Sequence, residues 1–187
     1  MINDYYRQID IDRFNYIIAR IPDGVSTILD IGAWDNQFKE LLQGYEVTTL
    51  DSEPHAKGMI KATITNLPFK DNSFDLVTAL ETLEHLGNIE LLEAREEISR
   101  VSREWIIVSV PYNEMPLGEG HKQSFSKARF ECFFSHVHTF YFGWRASYKG
   151  IRRQLCYIDK RLAFLIDKVF GIKTITVSNW IIGVFKK

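Results

Sequence analysis

Residues 25–36 read VSTILDIGAWDN, and this segment carries the strongest structural signal in the 187-residue chain. Its first part, residues 25–31, is a short apolar run that a turn at Gly32 ends, which is typical of a buried strand. Residues 36–42 then predict a helix, and the β-branched residues 46–50 predict a second strand. Because a strand, a helix and a strand follow one another, we predict a parallel sheet with right-handed crossovers.

The same alternation continues along the rest of the chain, after a first helix predicted at residues 4–20. Further strands are predicted at residues 57–64, 74–80, 105–110, 136–144 and 175–185, and further helices at residues 89–102, 126–134 and 151–170. This pattern predicts an α/β fold of the Rossmann-like type, with one doubly wound, mostly parallel sheet of seven strands in a single domain.

Composition argues against several classes of protein. The chain is 45% hydrophobic and 25% charged, as in globular domains rather than in disordered or fibrous proteins. Its two cysteines, Cys132 and Cys156, form no CxxC pair, which argues against a zinc ribbon. Nowhere do eighteen apolar residues follow one another, and no apolar run follows Met1. We therefore expect no membrane span, no signal peptide and a cytoplasmic location.

Charge is distributed unevenly along the chain. Residues 145–187 contain ten Lys and Arg against two Asp, whereas residues 1–144 are acidic overall. The predicted helix 151–170 combines an apolar stripe with basic side chains. This pattern is typical of peripheral contact with anionic lipid, and equally of an amphipathic helix that packs on the sheet or on a partner copy. The pI of about 6.5 argues against nucleic acid as a partner, and the oligomeric state stays open.

Polar residues at two neighbouring strand ends predict a nucleoside site. In doubly wound sheets, ligands bind beyond the carboxyl ends of the strands, where the strand order reverses. Gly32 has no side chain, so the backbone can approach a ligand closely there. Asp51 follows Asp30 by 21 residues, and a carboxylate at this place accepts hydrogen bonds from two vicinal ribose hydroxyls. The two signals together predict nucleoside binding.

Residues 25–111 resemble the class I S-adenosylmethionine-dependent methyltransferases, in the branch whose fourth strand continues as FDLVTALETLEHL does here. Residues 179–187, NWIIGVFKK, resemble the closing antiparallel strand of that family. The resemblance implies S-adenosylmethionine as the cofactor and an antiparallel last strand. It also implies an N-terminal helix in residues 1–24, a cofactor-binding core in residues 25–111, and an acceptor-side loop, helices and closing strands in residues 112–187.

The resemblance implies roles for nine residues toward the cofactor. Asp51 would hold the ribose, and Ile64 would flank the adenine. Asp30 and Gly32 would line the methionine part, which Leu80 would border. The full set is Asp30, Gly32, Ala33, Asn36, Asp51, Ser52, Thr63, Ile64 and Leu80.

Three positions depart from the pattern of the family. Its glycine-rich turn is usually G-x-G-x-G, whereas residues 32–36 read GAWDN. Asn36 enters left-handed geometry readily, but Trp34 must either turn outward or restrict the pocket. Thr63 stands where an acidic residue commonly contacts the adenine, and losing that bond would weaken binding by about 1 kcal/mol. These departures motivate an alternative function, a catalytically degenerate methyltransferase fold that serves as a binding protein.

The segment ETLEH after the fourth strand predicts catalytic residues. In a helix, Glu81, Glu84 and His85 would share one face. Similar ExxEH segments bind metal in quinone-biosynthetic and small-RNA-end methyltransferases of this fold. Alternatively, His85 deprotonates an acceptor hydroxyl, or Glu84 only orients His85. We predict His85, Glu84 and His121, a histidine in the loop after the fifth strand, as catalytic residues. We predict no metal, and Glu81, Glu84 and His85 as the ligands if one binds.

The reaction itself explains why no denser catalytic motif is visible. Methyl transfer from a sulfonium is an in-line displacement, so the protein must mainly position the acceptor and exclude water, with a base for a hydroxyl nucleophile. We predict O-methylation of a small-molecule, sugar, quinone-like or lipid-linked acceptor, and RNA methylation as a less favoured alternative. Aromatic residues in 125–144 would form either a wall of the acceptor pocket or part of the core.

Overall fold

A computed structural model describes residues 2–133, 137–147 and 174–187. The strands are β1 (Thr27–Ile31), β2 (Glu46–Asp51), β3 (Ile60–Lys61), β4 (Phe74–Leu80), β5 (Ser102–Pro111), β6 (Val137–Ser147) and β7 (Thr174–Lys186). The helices are α1 (Ile2–Ile18), α2 (Gln37–Leu41), α3 (Asn88–Val101) and α4 (Lys127–Phe133), together with a 3₁₀ turn at Leu83–His85. None of the helices in these described ranges is long and apolar enough to cross a membrane.

All seven strands form one sheet in the order β3-β2-β1-β4-β5-β7-β6. Strands β1 to β5 run parallel to one another, whereas β7 runs antiparallel to both β5 and β6. This topology confirms the predicted Rossmann-like sheet and its antiparallel last strand. The chain moves outward from β1 to β3 and then returns to β4, so the strand order reverses between β1 and β4. A crevice is therefore expected at the carboxyl ends of these two strands.

Hydrophobic residues cover both faces of the sheet. Leu29 of β1 belongs to a buried cluster with Ile98 of α3. Its neighbour Ile28 belongs to a second cluster, with Ile17 of α1 and Phe38 of α2. Because successive residues of a strand point to opposite faces, β1 anchors both layers. This double burial explains why the strands read as continuous apolar runs.

Two predicted elements differ from those observed. The third strand is limited to Ile60–Lys61, because Gly58 precedes it with φ +81° and a turn at Thr63 follows it. The ETLEH segment forms a 3₁₀ turn rather than an α-helix, and Glu81 has φ +53°. The predicted sharing of one helical face by Glu81, Glu84 and His85 is therefore wrong.

The aromatic segment contributes to the core at the positions where its side chains are described. Phe125 and Phe130 are both fully buried and contact each other edge to face. This supports the interpretation of these two residues as core. The helix predicted at residues 151–170 lies outside the described residues.

Candidate functional site

A cavity of about 630 Å³ lies at the point where the strand order reverses. Its wall includes the residues after β1, β2 and β4, together with part of α1. Eight of the nine predicted cofactor residues line it: Asp30, Gly32, Ala33, Asp51, Ser52, Thr63, Ile64 and Leu80. Asn36 does not line it. Instead, Asn36 begins α2 in the left-handed conformation, with φ +68°.

The turn after β1 depends on a glycine for a reason that the sequence does not show. Gly32 has φ +73°, and a Cβ atom there would lie 2.3 Å from Oγ1 of Thr82. The Gly32 amide donates to the Leu50 carbonyl at 2.8 Å, which ties the turn to the end of β2. Gly32 is therefore required by the neighbouring side chain and by its backbone conformation, rather than only by the approach of a ligand.

Trp34 lies at the rim of the cavity and does not fill it. Its side chain is 59% exposed, and its ring stacks on His55 with 3.9 Å between the ring centroids. The Trp34 amide donates to Oδ2 of Asp51 at 3.1 Å. Of the two orientations considered from the sequence, the outward one matches the structure. The cost is a bulky residue at φ +46°, which is unfavourable outside glycine.

Asp51 is held in place by backbone amides at the carboxyl end of β2. Besides the Trp34 amide, the amide of Glu53 donates to its Oδ1 at 2.9 Å. Two fixed donors restrict the rotation of the carboxylate, so its remaining lone pairs are oriented for further donors. In the same wall, the hydroxyl groups of Thr63 and Thr65 lie 3.2 Å apart. The structure thus supplies an oriented acceptor and small polar groups for a ligand with hydroxyl groups.

Asp30 is a buried acid in the cavity wall, only 3% exposed. The hydroxyl of Thr78 donates to its Oδ1 at 2.7 Å. Burial raises the pKa of Asp30 to about 7, against the effect of the Thr78 bond and with a further contribution from Asp51. A cationic group of a ligand beside Asp30 would favour its ionised form.

Arg13 of α1 also lines the cavity, and sequence reasoning missed it. Its guanidinium lies 3.1 Å from carboxylate oxygens of both Asp10 and Glu81 and above the rings of Phe14 and Trp180. Only 6% of its side chain is exposed. No motif in the N-terminal helix marks this residue, because two of its partners, Glu81 and Trp180, lie far along the chain. A guanidinium in a cavity wall can bind a carboxylate of a ligand.

The carboxylate of Glu81 is held by partners outside the ETLEH segment. It accepts hydrogen bonds from the Ser109 hydroxyl, at 3.1 Å, and from the Trp180 indole, in addition to its ion pair with Arg13. These contacts connect the end of β4 with β5, β7 and α1. Glu81 is therefore part of the packing of the N-terminal helix over the cavity.

The three predicted catalytic residues Glu84, His85 and His121 lie together. Their possible ligand atoms are all within 4.8 Å of one another, and the two imidazole rings meet edge to face with 4.7 Å between centroids. His85 also lines the cavity, so the cluster adjoins the candidate ligand site. Two imidazoles and a carboxylate in this arrangement can hold a divalent cation or transfer a proton.

Glu84 is the most unusual member of this cluster. Its side chain is fully buried, and neither carboxylate oxygen has a hydrogen-bond partner within the part of the chain that the structure describes. Burial raises the pKa of Glu84 to about 9, and the nearby Glu81 carboxylate adds to the shift. A buried polar group that lacks protein partners is costly, which points to a ligand that completes its contacts.

Sequence and family comparisons relate the chain to known proteins. Residues 29–105 match a family described as a methyltransferase domain. An uncharacterized protein of Methanocaldococcus jannaschii is 31% identical over 90 residues, which cover 44% of this chain and 40% of that protein. The match thus spans less than half of the relative.

Two solved structures resemble the whole architecture. A S-adenosylmethionine-dependent methyltransferase of Archaeoglobus fulgidus has a TM-score of 0.69 at 18% identity, with 97% of this chain and 94% of that chain covered. A S-adenosylmethionine-dependent methyltransferase of Thermotoga maritima, described as a possible histamine N-methyltransferase, has a TM-score of 0.60 at 16% identity, with 100% and 96% covered. At these identities the likeness shows the fold alone.

Proposed function

We propose that the chain is a class I S-adenosylmethionine-dependent methyltransferase, and that it transfers the methyl group of this cofactor to an oxygen atom of a small acceptor. The acceptor classes that we propose are a sugar, a quinone-like ring and a lipid-linked intermediate. The observation that carries the proposal is the Asp51 carboxylate, which two backbone amides orient in the wall of the cavity.

The residues of the cavity fit each part of S-adenosylmethionine chemically. Asp51 can accept hydrogen bonds from the two ribose hydroxyls, and Ile64 offers an apolar surface for the adenine. Arg13 can bind the carboxylate of the methionine part. Asp30 can lie beside the positively charged groups of the methionine part, because a cation stabilises the ionised form of this acid. When bound, the cofactor supplies an electrophilic methyl carbon.

The residues of the protein position the bound molecules and exclude water from the reacting atoms. A group of three side chains connects α1 with the carboxyl end of β4 and the middle of β7: Arg13, Glu81 and Trp180. This contact places Phe14 of α1 in the cavity wall. An apolar covering of this kind keeps water from the reacting atoms, and fixed polar groups orient the bound molecules.

His85 is the residue that we propose as the general base. Its Nδ1 lies 3.2 Å from the carbonyl oxygen of Gly120, and a carbonyl can only accept, so Nδ1 carries the proton. The Nε2 atom then has a lone pair that can take the proton of an acceptor hydroxyl as its oxygen attacks the methyl carbon. Because His85 lines the cavity, it is placed to contact an acceptor.

Exposed apolar side chains beside the cavity support an acceptor with an apolar part. Ile89 is 75% exposed and Leu92 is 50% exposed, both on α3. Their neighbours Leu86 and Glu90 line the cavity. Membrane contact through residues 151–170 stays a prediction, because that segment lies outside the described residues.

The cluster of Glu84, His85 and His121 supports a second role, the binding of a divalent cation. The unpartnered carboxyl group of Glu84 favours it, since a cation would stabilise the ionised acid and complete its contacts. These three residues would hold the ion, and the Nε2 atom of His85 would then be a metal ligand instead of the general base. A cation there would orient an acceptor through its oxygen atoms.

Calorimetric titration with S-adenosylhomocysteine tests the cofactor site. We expect the unmodified protein to bind, and Asp51→Asn to bind about 10- to 100-fold more weakly, because hydrogen bonds to a charged group contribute about 1.5–3 kcal/mol. Asp23→Asn is the matched control, since Asp23 is exposed and is absent from the cavity wall.

The outcomes separate the proposal from its alternatives. Failure of the unmodified protein to bind would favour the degenerate binding protein. Equal binding by Asp51→Asn would remove Asp51 as the ribose anchor. Transfer of radioactive methyl groups to sugar, quinone and lipid-linked acceptors would then identify the substrate class, and labelling of RNA alone would contradict the proposed acceptor.

A further inference from the structure

The loop after β5 borders the cluster of Glu84, His85 and His121 and contributes His121 to it. The backbone amides of Lys122 and Gln123 both donate to the Glu84 carbonyl, at 2.8 and 3.2 Å. These bonds attach the end of the loop to the 3₁₀ turn. The position of His121 relative to Glu84 is therefore fixed by the backbone.

Each imidazole of the cluster is oriented through its Nδ1 atom by a group of this loop. The Nδ1 of His85 donates to the Gly120 carbonyl. The Nδ1 of His121 lies 2.5 Å from Oε2 of Glu114, and an ionised carboxylate accepts. In its neutral form, each ring thus carries the proton on Nδ1 and a lone pair on Nε2. This tautomer suits a metal ligand whose other nitrogen is held by a carboxylate or a carbonyl.

Two glycines leave room for this arrangement. A Cβ atom on Gly118 would lie 3.0 Å from Oε1 of Glu114 and 3.1 Å from the His121 ring. Gly120 has φ +76°, and a Cβ atom there would lie 3.4 Å from Nδ1 of His85. A side chain at Gly118 would therefore crowd Glu114 and His121, whereas Gly120 is favoured by its positive φ, since 3.4 Å is an ordinary contact distance.

The two remaining glutamates near the cluster have different surroundings. Glu114 contacts His121 directly, through its Oε2 atom. The carboxylate of Glu81 instead binds Arg13, Ser109 and Trp180.

We propose that Glu114 is the positioning residue of a divalent-cation site formed by Glu84, His85 and His121, and that Glu81 is not a ligand. This inference rests on the cation role described above. Glu114 fixes the tautomer and the direction of His121, as carboxylates behind metal-bound histidines do. Besides the ligand Glu84, the acid that serves the site is thus Glu114 in the loop after β5, and not Glu81 in the ETLEH segment.

Titration with Mn²⁺, followed by the electron paramagnetic resonance signal of the free ion, tests the inference on the full chain. We expect Glu114→Leu to weaken Mn²⁺ binding by about 10- to 100-fold. Glu114→Gln retains an amide oxygen as acceptor and should lie between Glu114→Leu and the unmodified protein. Glu119→Leu, in an exposed residue of the same loop, and Glu81→Gln should bind Mn²⁺ as the unmodified protein does.

Long-range ¹⁵N–¹H spectra of the imidazoles supply a readout that a purely structural role would not change. Without metal, both rings should be in the Nδ1–H form. In Glu114→Leu, only His121 should gain the Nε2–H form, with an unchanged melting temperature and an unchanged affinity for S-adenosylhomocysteine. An Nε2–H form of His121 in the unmodified protein would overturn the inference even if Glu114→Leu does not fold.

Other outcomes overturn the inference in different ways. Normal Mn²⁺ binding by Glu114→Leu would remove Glu114, and a loss in Glu81→Gln as large as that in Glu114→Leu would make Glu81 a ligand. If the unmodified protein binds no Mn²⁺, both this inference and the cation role fail. The methyltransferase proposal is then still decided separately by titration with S-adenosylhomocysteine.

Discussion

Replacing Asp30 by asparagine should stabilise the protein at neutral and alkaline pH. The change removes the charge but keeps the shape, and the amide oxygen can still accept the bond from Thr78. Burial raises the pKa of Asp30 from 3.8 to about 7 in the folded protein. A raised pKa means that the folded state holds the proton more strongly than the unfolded state. Its contribution to stability is therefore complete below about pH 4 and is lost as the pH rises to about 7.

The size of the effect follows from the same shift. Ionising Asp30 in the folded protein costs about 4 kcal/mol above pH 7, and Asp30→Asn avoids this cost. For a domain of this size, such a gain corresponds to a melting temperature about 8–16 °C higher. Urea unfolding of both proteins at a series of pH values between 4 and 8 measures the difference.

The dependence on pH is the decisive part of this experiment. The advantage of Asp30→Asn should be largest at pH 8 and should shrink toward zero as the pH approaches 4. A constant difference over this range, or a less stable variant at pH 8, would show that desolvation of Asp30 does not govern its ionisation. The variant should also bind S-adenosylhomocysteine more weakly, because it loses a cavity carboxylate.

Three further changes test the structure at separate places. Asp75→Asn should lower the free energy of unfolding at neutral pH, by an amount that shrinks as the pH falls below about 4, since hydrogen bonds from Thr27 and Ser26 and the charge of Arg103 lower the pKa of Asp75 against the opposing effect of burial; a difference that does not shrink at all as the pH falls below 4 would contradict this. In urea unfolding, Gly32→Ala should lower the free energy of unfolding more than Gly44→Ala does. Both glycines have positive φ, but only the methyl group added at position 32 would meet a side chain. Equal losses would argue against that contact. Trp34→Gly should change the free energy of unfolding by less than about 1 kcal/mol, because relief of the positive φ at this position offsets the lost contact with His55. Calorimetry should show an unchanged affinity for the cofactor. Tighter binding would mean that the indole obstructs the cavity.

The arrangement of strands and helices was predictable because it depends on short-range patterns. The apolar run before Gly32 and the β-branched run before Asp51 are local signals, and the structure contains both strands with the expected ends. Their order along the chain implies parallel pairing, which the sheet confirms. The third strand was predicted too long, because the turn at Thr63 gives only a weak signal in the sequence.

The candidate site was predictable where it depends on the ends of regular strands, and not where the backbone departs from a regular helix. Residues at strand ends, such as Asp51 and Leu80, reach the cavity because the carboxyl ends of parallel strands share one edge. The grouping of Glu81 with Glu84 assumed a regular helix, whereas a residue at φ +53° redirects its side chain.

Periodicity and the residues that close each strand thus determined the class of fold and the position of the cavity, because hydrogen bonding and burial act between near neighbours. Tertiary structure alone decided that Arg13 faces Glu81, 68 positions later, and that Glu114 holds His121. It also decided that Trp34 stacks outside the cavity on His55. The contacts of Arg13 and Trp34 join segments whose relative position follows from the packing of the sheet, whereas the contact of Glu114 depends on how the loop after β5 folds back on itself.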